Sequence, residues 1–167
     1  MKKLWTLIFT ILIVFTLTAC GKKNDEESNS KNVAEDDLSK PINKEGSKNY
    51  TRISVSFDGG EIIIKMDDNP TSRAFLTQLP LTLTFEEFSG FEKLSYPPEK
   101  LTTKGASSGY QPKRGDFSYY APWGNVTMFY DDHKFSTGLV KLGGIESGVE
   151  WLDTIHDDFT ATIKKEN

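Results

Sequence analysis

The chain has 167 residues, one cysteine, and a formal net charge of −4, from 24 acidic against 20 basic side chains. One cysteine excludes an internal disulfide framework and a thiolate metal site. The acidic balance argues against charge-driven binding to nucleic acid or to anionic phospholipid headgroups.

The first nineteen residues have the pattern of a secretory signal. Met1-Lys2-Lys3 is a short cationic start, residues 4–17 form an apolar run, and the run ends in Leu17-Thr18-Ala19-Cys20. A cationic start, an apolar stretch and small residues at the cleavage point are typical of such a signal. The Leu-x-Ala-Cys ending resembles a bacterial lipobox, which implies a diacylglyceryl group on Cys20 and cleavage just before it. The alternative is an ordinary signal peptide that carries a cysteine by chance.

A lipid on Cys20 predicts a protein held at the extracytoplasmic face of the cell membrane. Each buried methylene of an acyl chain contributes about 0.8 kcal/mol, and two chains make a durable anchor. Removal of Lys2 and Lys3 with the signal would leave 18 of the 20 basic residues against 24 acidic ones. We therefore expect the membrane to be a partner through the lipid and not through charge.

The segment from Cys20 to residue 49 has the composition of a tether. It contains no aromatic residue, and beyond Cys20 its only apolar residues are Val33, Ala34, Leu38 and Ile42. Such a segment cannot bury enough apolar surface to offset its conformational entropy, so it is predicted to be disordered. A flexible coil of this length reaches on the order of 30 Å. The alternative is a short recognition helix over residues 33–38.

Residues 50–167 are predicted to form one mostly β domain. Asn69-Pro70 predicts the start of a helix that Pro80 stops, and a second short helix is expected over residues 147–152. Alternating polar and apolar residues predict strands. The predicted strands cover residues 52–57, 61–66, 81–85, 117–121, 125–130, 139–145 and 159–163. Seven strands with antiparallel hairpins favour a closed barrel, because closure removes exposed sheet edges.

Several motifs in this domain, taken in order, identify a family. They are Leu79-Pro80-Leu81-Thr82-Leu83, Phe91-Glu92-Lys93, Gly115-Asp116, Tyr119-Tyr120-Ala121-Pro122-Trp123-Gly124-Asn125 and Phe129-Tyr130. Together they resemble the bacterial cyclophilin-like domain family over about residues 52–152. The resemblance implies a small closed β-barrel with two short helices. It implies no catalytic residue and no cofactor, and nothing in the chain resembles a flavin-binding loop.

The isomerase chemistry of true cyclophilins is the enzymatic alternative. Cyclophilins use an arginine, a phenylalanine five residues later and then Met-x-Gln-Gly-Gly, and Arg52 and Phe57 have that spacing. However, Asp58-Gly59-Gly60 follows, and a separation of five in a strand places two side chains on opposite faces. Arg114 near Tyr119 and Trp123 is the other candidate cation. The sequence thus favours a non-catalytic binding or accessory module, with a peptidyl-prolyl isomerase as the alternative.

The aromatic stretch from Tyr119 to Tyr130 is the candidate ligand site. Alternation predicts that both faces of its hairpin carry rings, one filling the barrel and the other covered or open to a ligand. The core positions are expected to be Phe117, Val126, Met128 and Phe129. Amphipathic rings suit half-wet sites, so the predicted pocket residues are Arg114, Tyr119, Tyr120, Trp123 and Tyr130.

No metal site is expected. Asp131-Asp132-His133 and His156-Asp157-Asp158 contain suitable ligand types. Consecutive side chains on an extended segment diverge, however, so each triplet is interpreted as solvated charge. Glu86, Glu87 and Glu92 are likewise predicted to be a solvated strand end.

Overall fold

The structure is a computed structural model, and it describes residues 50–166. The predicted signal, the lipidation site Cys20 and the predicted tether lie outside the described residues, as does Asn167. Those interpretations therefore stay predictions. Neither helix in the described part of the chain has the length or apolar character needed to span a bilayer.

Ten strands and two helices make up the domain. In chain order they are β1 (Arg52–Phe57), β2 (Gly60–Met66), α1 (Pro70–Leu76), β3 (Leu81–Phe88), β4 (Glu92–Ser95), β5 (Gly109–Tyr110), β6 (Asp116–Tyr120), β7 (Asn125–Phe129), β8 (Ser136–Thr137), β9 (Leu139–Ser147), α2 (Val149–Thr154) and β10 (Phe159–Lys165). Eight strands close into an antiparallel barrel in the order β1-β10-β3-β4-β7-β6-β9-β2, while β5 and β8 form a separate two-stranded ribbon. The prediction of a mostly β fold with a closed barrel and two short helices is confirmed.

The seven predicted strands correspond to β1, β2, β3, β6, β7, β9 and β10. The additions are β5, β8 and, as the one among them that belongs to the barrel, β4. This strand pairs with β3 on one side and with β7 on the other. Its Lys93 is the Cα partner of the core residue Met128, so an ammonium-bearing side chain points into the barrel. The sequence pattern hides such a strand, because the alternation rule assigns a lysine to the outside.

The barrel interior is filled by the apolar half of each alternating strand. Ile53 and Val55 on β1 face Ile62 and Ile64 on β2, and all four are fully buried. Burial of each such side chain stabilises the fold by about 1.5–3 kcal/mol relative to exposure. Phe75 of α1 joins this core and meets the ring of Phe117 edge-on, with centroids 5.3 Å apart.

The two helices begin and end somewhat differently from the prediction. Asn69 caps α1 as expected, since its Oδ1 accepts a hydrogen bond from Ser72 N at 2.9 Å. The helix ends at Leu76, earlier than predicted, because Gln78 N bonds to Phe75 O at 3.0 Å and tightens the last turn. Leu79 precedes Pro80 and is thereby biased away from helical geometry. Helix α2 begins two residues later than predicted, after Gly148, which has a φ of 85°.

Candidate aromatic cavity

A cavity of about 160 Å³ opens on the outer face of the barrel, beside β4, β6 and β7. Its apolar walls come from six side chains, and four polar ones complete it. The apolar set is Phe88, Phe91, Tyr120, Trp123, Phe129 and Leu139, and the polar set is Glu92, Asn125, His133 and Ser136.

Strand register places the polar and aromatic side chains next to each other. Glu92 on β4 is the Cα partner of Phe129 on β7, and Asn125 on β7 is the partner of Tyr120 on β6. Partners across an antiparallel pair share one face of the sheet. Because Met128 points into the core, its neighbour Phe129 points outward, and so do Glu92, Asn125 and Tyr120.

The turn between β6 and β7 supplies the outer wall. Gly124 has a φ of 79°, a conformation that glycine adopts without steric cost, and its N–H donates to Tyr120 O at 2.8 Å. This tight turn leaves Trp123 half exposed, at 51%. The Trp123 ring contacts Phe88 and Tyr120 edge-on, with centroids 5.5 and 5.3 Å apart. The three rings thus form one connected wall.

His133 also lines the cavity. Its ring stacks on Phe91 with centroids 4.2 Å apart and an interplanar angle of 6°. Phe91 in turn lies parallel to Phe129. The neighbouring Asp132 turns away and bonds to Lys113 Nζ at 2.8 Å. Within residues 50–166, no group of three or more histidine, aspartate or glutamate side chains is arranged to hold a metal ion.

Glu92 is a half-buried carboxylate without a cationic partner. Thr127 donates its hydroxyl to Glu92 Oε2, and among the salt bridges of residues 50–166 none involves Glu92. Burial raises the pKa of Glu92 above its usual range. The Thr127 hydrogen bond opposes that rise, and the negative charge of Glu87 adds to it. The prediction of a solvated strand end is therefore wrong for Glu92.

Asn125 is the second polar group of the cavity and has an unmet hydrogen-bonding capacity. The residue is only 2% exposed, and its Oδ1 has no hydrogen-bond partner in the described part of the chain. Leaving a buried acceptor unsatisfied costs about 1–3 kcal/mol. Such a cost is typical of a position that a ligand donor can fill.

The family model described as the cyclophilin-like family matches residues 55–164. The chain belongs to the cyclophilin-like family. A search of curated proteins finds no match.

One solved structure similar to this cyclophilin-like barrel is the solution structure of a hypothetical protein from Archaeoglobus fulgidus. The two chains share 16% sequence identity with a TM-score of 0.55, and the alignment covers 70% of this chain and 95% of the other. At that identity the likeness supports the fold alone.

The cyclophilin-like barrel does not bring the five predicted pocket residues together. Tyr120 and Trp123 line the cavity. Tyr119 points to the opposite face of β6, is only 2% exposed, and packs in the core. Its hydroxyl accepts a hydrogen bond from Leu101 N at 3.2 Å. Alternation along β6 is the reason, because neighbouring tyrosines cannot share one face.

Tyr130 and Arg114 lie away from the cavity in a second polar cluster. Tyr130 donates its hydroxyl to Glu87 Oε1 at 2.6 Å, and burial together with the Glu87 charge raises the pKa of Tyr130. Arg114 forms a two-pronged salt bridge with Asp153, with Nη1 2.8 Å from Oδ1, and also donates to Tyr130 O. The ion pair with Asp153 raises the pKa of Arg114 and lowers that of Asp153.

Sequence reasoning missed most of the cavity lining. Phe88 and Phe91 flank the Ser89-Gly90 turn between β3 and β4, a strand that the pattern did not predict. The sequence pattern predicts Glu92 to lie at a solvated strand end, and it marks Asn125 only as part of a family motif. A usable signal was the period of two through residues 125–129, which places Asn125 on the same outward face as Phe129.

Proposed function

We propose that the protein is a lipid-anchored, extracytoplasmic binding module. Its cyclophilin-like barrel takes one small chemical group into the aromatic cavity and performs no reaction on it. The observation that carries the binding part is the buried, unpartnered Asn125 Oδ1 in the wall of an open aromatic cavity.

The size of the cavity limits what it accepts. A volume of about 160 Å³ is well below the roughly 300–1,000 Å³ of pockets for drug-sized ligands. It is close to the roughly 150 Å³ of an engineered cavity that binds benzene. The ligand group is therefore about as large as one amino-acid side chain.

Prolyl isomerisation receives less support than binding. That chemistry requires a cation or donor held against an apolar pocket, and Arg114 is instead held by Asp153 and does not line the cavity. The other sequence candidate is the pair Arg52 and Phe57. Arg52 bonds to Glu146 Oε2 at 2.5 Å, whereas Phe57 packs edge-on against Trp151, so the two side chains serve different contacts.

An isomerase assay separates the two functions. We expect the full-length protein, purified in a maltoside detergent, to leave the isomerisation rate of a proline-containing peptide at its uncatalysed value. Catalysis that disappears in Trp123→Ala or Arg114→Ala would overturn the non-catalytic proposal.

A fragment titration tests binding itself. Small amines, alcohols and carboxylates are added to the full-length protein, and amide NMR shifts are followed. We expect at least one class to shift the amides of Phe91, Asn125 and Phe129, and Trp123→Ala to weaken that binding. A panel that moves none of these amides contradicts the proposed binding function.

The anchor rests on the residues around Cys20 and has its own test. A Cys20→Ser variant is expected to leave the membrane fraction or to accumulate as unprocessed precursor, because the thiol that receives the lipid is absent. Unchanged membrane association of this variant would refute lipidation.

A further inference from the structure

Two of the four polar residues in the cavity lining, Glu92 and Asn125, offer oxygen acceptors in need of donors. Glu92 and Asn125, whose buried Oδ1 has no hydrogen-bond partner, both line the cavity, and no lysine or arginine lines it in the described part of the chain. Oε2 of Glu92 takes the Thr127 hydrogen bond, and Oε1 is the oxygen that remains for a ligand. Among the lining residues only His133 can carry positive charge.

The aromatic walls have a matching electrostatic character. The faces of tryptophan, tyrosine and phenylalanine rings are electron-rich and attract cations within about 6 Å of the ring centre. Phe88, Tyr120 and Trp123 make edge-on contacts with centroids 5.3–5.5 Å apart. Each edge-on contact covers one face of only one ring, so two such contacts among three rings leave other ring faces for a guest. An unpaired half-buried carboxylate beside such rings is itself costly unless a cation neutralises it.

We infer that the cavity binds an alkylammonium group, that is, a small organic cation with N–H donors on a short aliphatic stem. The inference rests on the proposed binding function and names the chemistry of its ligand. The ammonium donates to the free oxygen of Glu92 and to Asn125 Oδ1, and the stem packs against Trp123. The source of the ammonium is either a free amine or a lysine side chain of a peptide.

The charge on Glu92 makes this binding depend on pH. The Thr127 hydroxyl donates to Glu92, the Glu87 charge acts on it from the neighbouring strand β3, and the His133 ring lines the same cavity. A bound cation stabilises the ionised carboxylate, so affinity rises as pH increases through the raised pKa of Glu92 and then levels off.

Three probes with equal numbers of heavy atoms test the inference on the unmodified full-length protein. They are n-butylammonium, tetramethylammonium and n-butanol, titrated by amide NMR in a maltoside detergent. Ligands this small have dissociation constants in about the micromolar range at best, so the titrations extend to millimolar probe concentrations. We expect butylammonium to bind most tightly, tetramethylammonium more weakly because it has no N–H donor, and butanol weakest because it has no charge.

Variants then assign the charge to its residue. Glu92→Gln is expected to weaken butylammonium binding at least about tenfold and to abolish the rise of affinity with pH. Glu86→Gln is the matched control, since Glu86 is an exposed carboxylate near β4 that does not line the cavity. A titration with Nα-acetyl-lysinamide distinguishes the source: tight binding indicates a lysine side chain, and binding of butylammonium alone indicates a free amine.

The outcomes that overturn the inference differ from those that overturn the binding function. Butanol binding as tightly as butylammonium, or Glu92→Gln binding butylammonium like the unmodified protein, eliminates the cation site but leaves a binding cavity. No shift of the cavity amides with any probe or fragment eliminates both. The probe comparison needs no variant, so it remains decisive if Glu92→Gln does not fold.

Discussion

Two glutamates five residues apart, Glu87 on β3 and Glu92 on β4, meet opposite environments. Glu87 forms a salt bridge with the buried Lys93 and accepts hydrogen bonds from Tyr130 and from Gly90 N. Burial alone would raise the pKa of Glu87, but these donors outweigh it and lower the pKa. Glu92 faces the aromatic cavity with one hydroxyl donor and no cation, and its pKa is raised.

The difference separates a charge that the protein itself compensates, on Glu87, from a charge that a ligand could compensate, on Glu92. Lys93 Nζ also donates to Ile155 O beyond the end of α2, so the Glu87 cluster connects β3, β4 and the helix. Its charges are satisfied internally, and a ligand has nothing to add. The charge on Glu92 lacks that compensation, and perturbed groups of this kind concentrate at binding sites.

Removal of the buried ammonium should have the largest effect. Lys93→Met leaves Glu87 without its cation and Ile155 O without its donor, so we expect a loss of about 3 kcal/mol in the free energy of unfolding. Urea denaturation measures this value. The double variant Lys93→Met with Glu87→Gln should recover part of the loss, because no unpaired charge remains. A single variant that loses less than about 1 kcal/mol contradicts a structural role for the pair.

Replacement of the two glutamates should change the pH dependence of stability in opposite senses. The lowered pKa of Glu87 gives a contribution that is present above the unfolded pKa, about 4.3, and is lost as pH falls through the folded pKa. The raised pKa of Glu92 gives a contribution that is present below about pH 4.3 and is lost as pH rises through the folded pKa. Each contribution is the free energy of unfolding of the unmodified protein minus that of the Glu87→Gln or the Glu92→Gln variant at the same pH. Thermal unfolding between acid and neutral pH measures both contributions. If the two contributions change with pH in the same direction, the proposed difference between Glu87 and Glu92 is wrong.

Substitution of Asn125 should cost almost nothing in stability, because its Oδ1 makes no hydrogen bond that could be lost. We expect Asn125→Leu to leave the free energy of unfolding unchanged or to raise it by about 1 kcal/mol, because an unsatisfied buried acceptor is removed. The matched control is Thr127→Val on the same strand, which removes the satisfied bond to Glu92 and should cost about 1 kcal/mol. A larger loss for Asn125→Leu than for Thr127→Val would show that the amide is already satisfied.

The smallest effect is expected for Arg114→Ala. Arg114 and Asp153 are 42% and 43% exposed, and solvent screening limits such a pair to less than about 1 kcal/mol. Ligand titrations of the cavity should be unchanged, because Arg114 contacts Tyr130 O and Asp153 instead. A strong loss of ligand binding in this variant would show that Arg114 does belong to the ligand site, as the sequence predicted.

The alternating strands could be predicted because each buries one regular face. Ile53 and Val55 on β1 are typical of such a buried face. The start of α1 could also be predicted, because Asn69 before Pro70 is a typical helix cap. The strand β4 was hidden because its inward residues, Lys93 and Ser95, are both polar. Lys93 is acceptable there only through Glu87 and Ile155 O. Those partners lie on other elements, and a local pattern contains no information about them.

The cavity was only half predictable for a similar reason. Tyr120 and Trp123 belong to one hairpin, and the aromatic composition of that hairpin predicted them as pocket residues. Phe88, Phe91 and His133 reach the same place from the β3–β4 turn and from the segment after β7. The register of β4 with β7 joins them, and that register depends on a strand that the sequence did not reveal.

The pairing of β1 with β10 determines when this barrel can be completed during synthesis. The strand at residues 52–57 hydrogen-bonds to the strand at residues 159–165. The first strand of the domain therefore cannot complete its pairing until the last strand has been synthesised. A ribosome releases the chain from its N-terminus, and β1 therefore emerges with one edge unpaired until nearly the whole domain has followed. Pairings of high sequence separation also fold slowly. The nascent domain depends on protection of that edge for longer than a fold that closes with local hairpins.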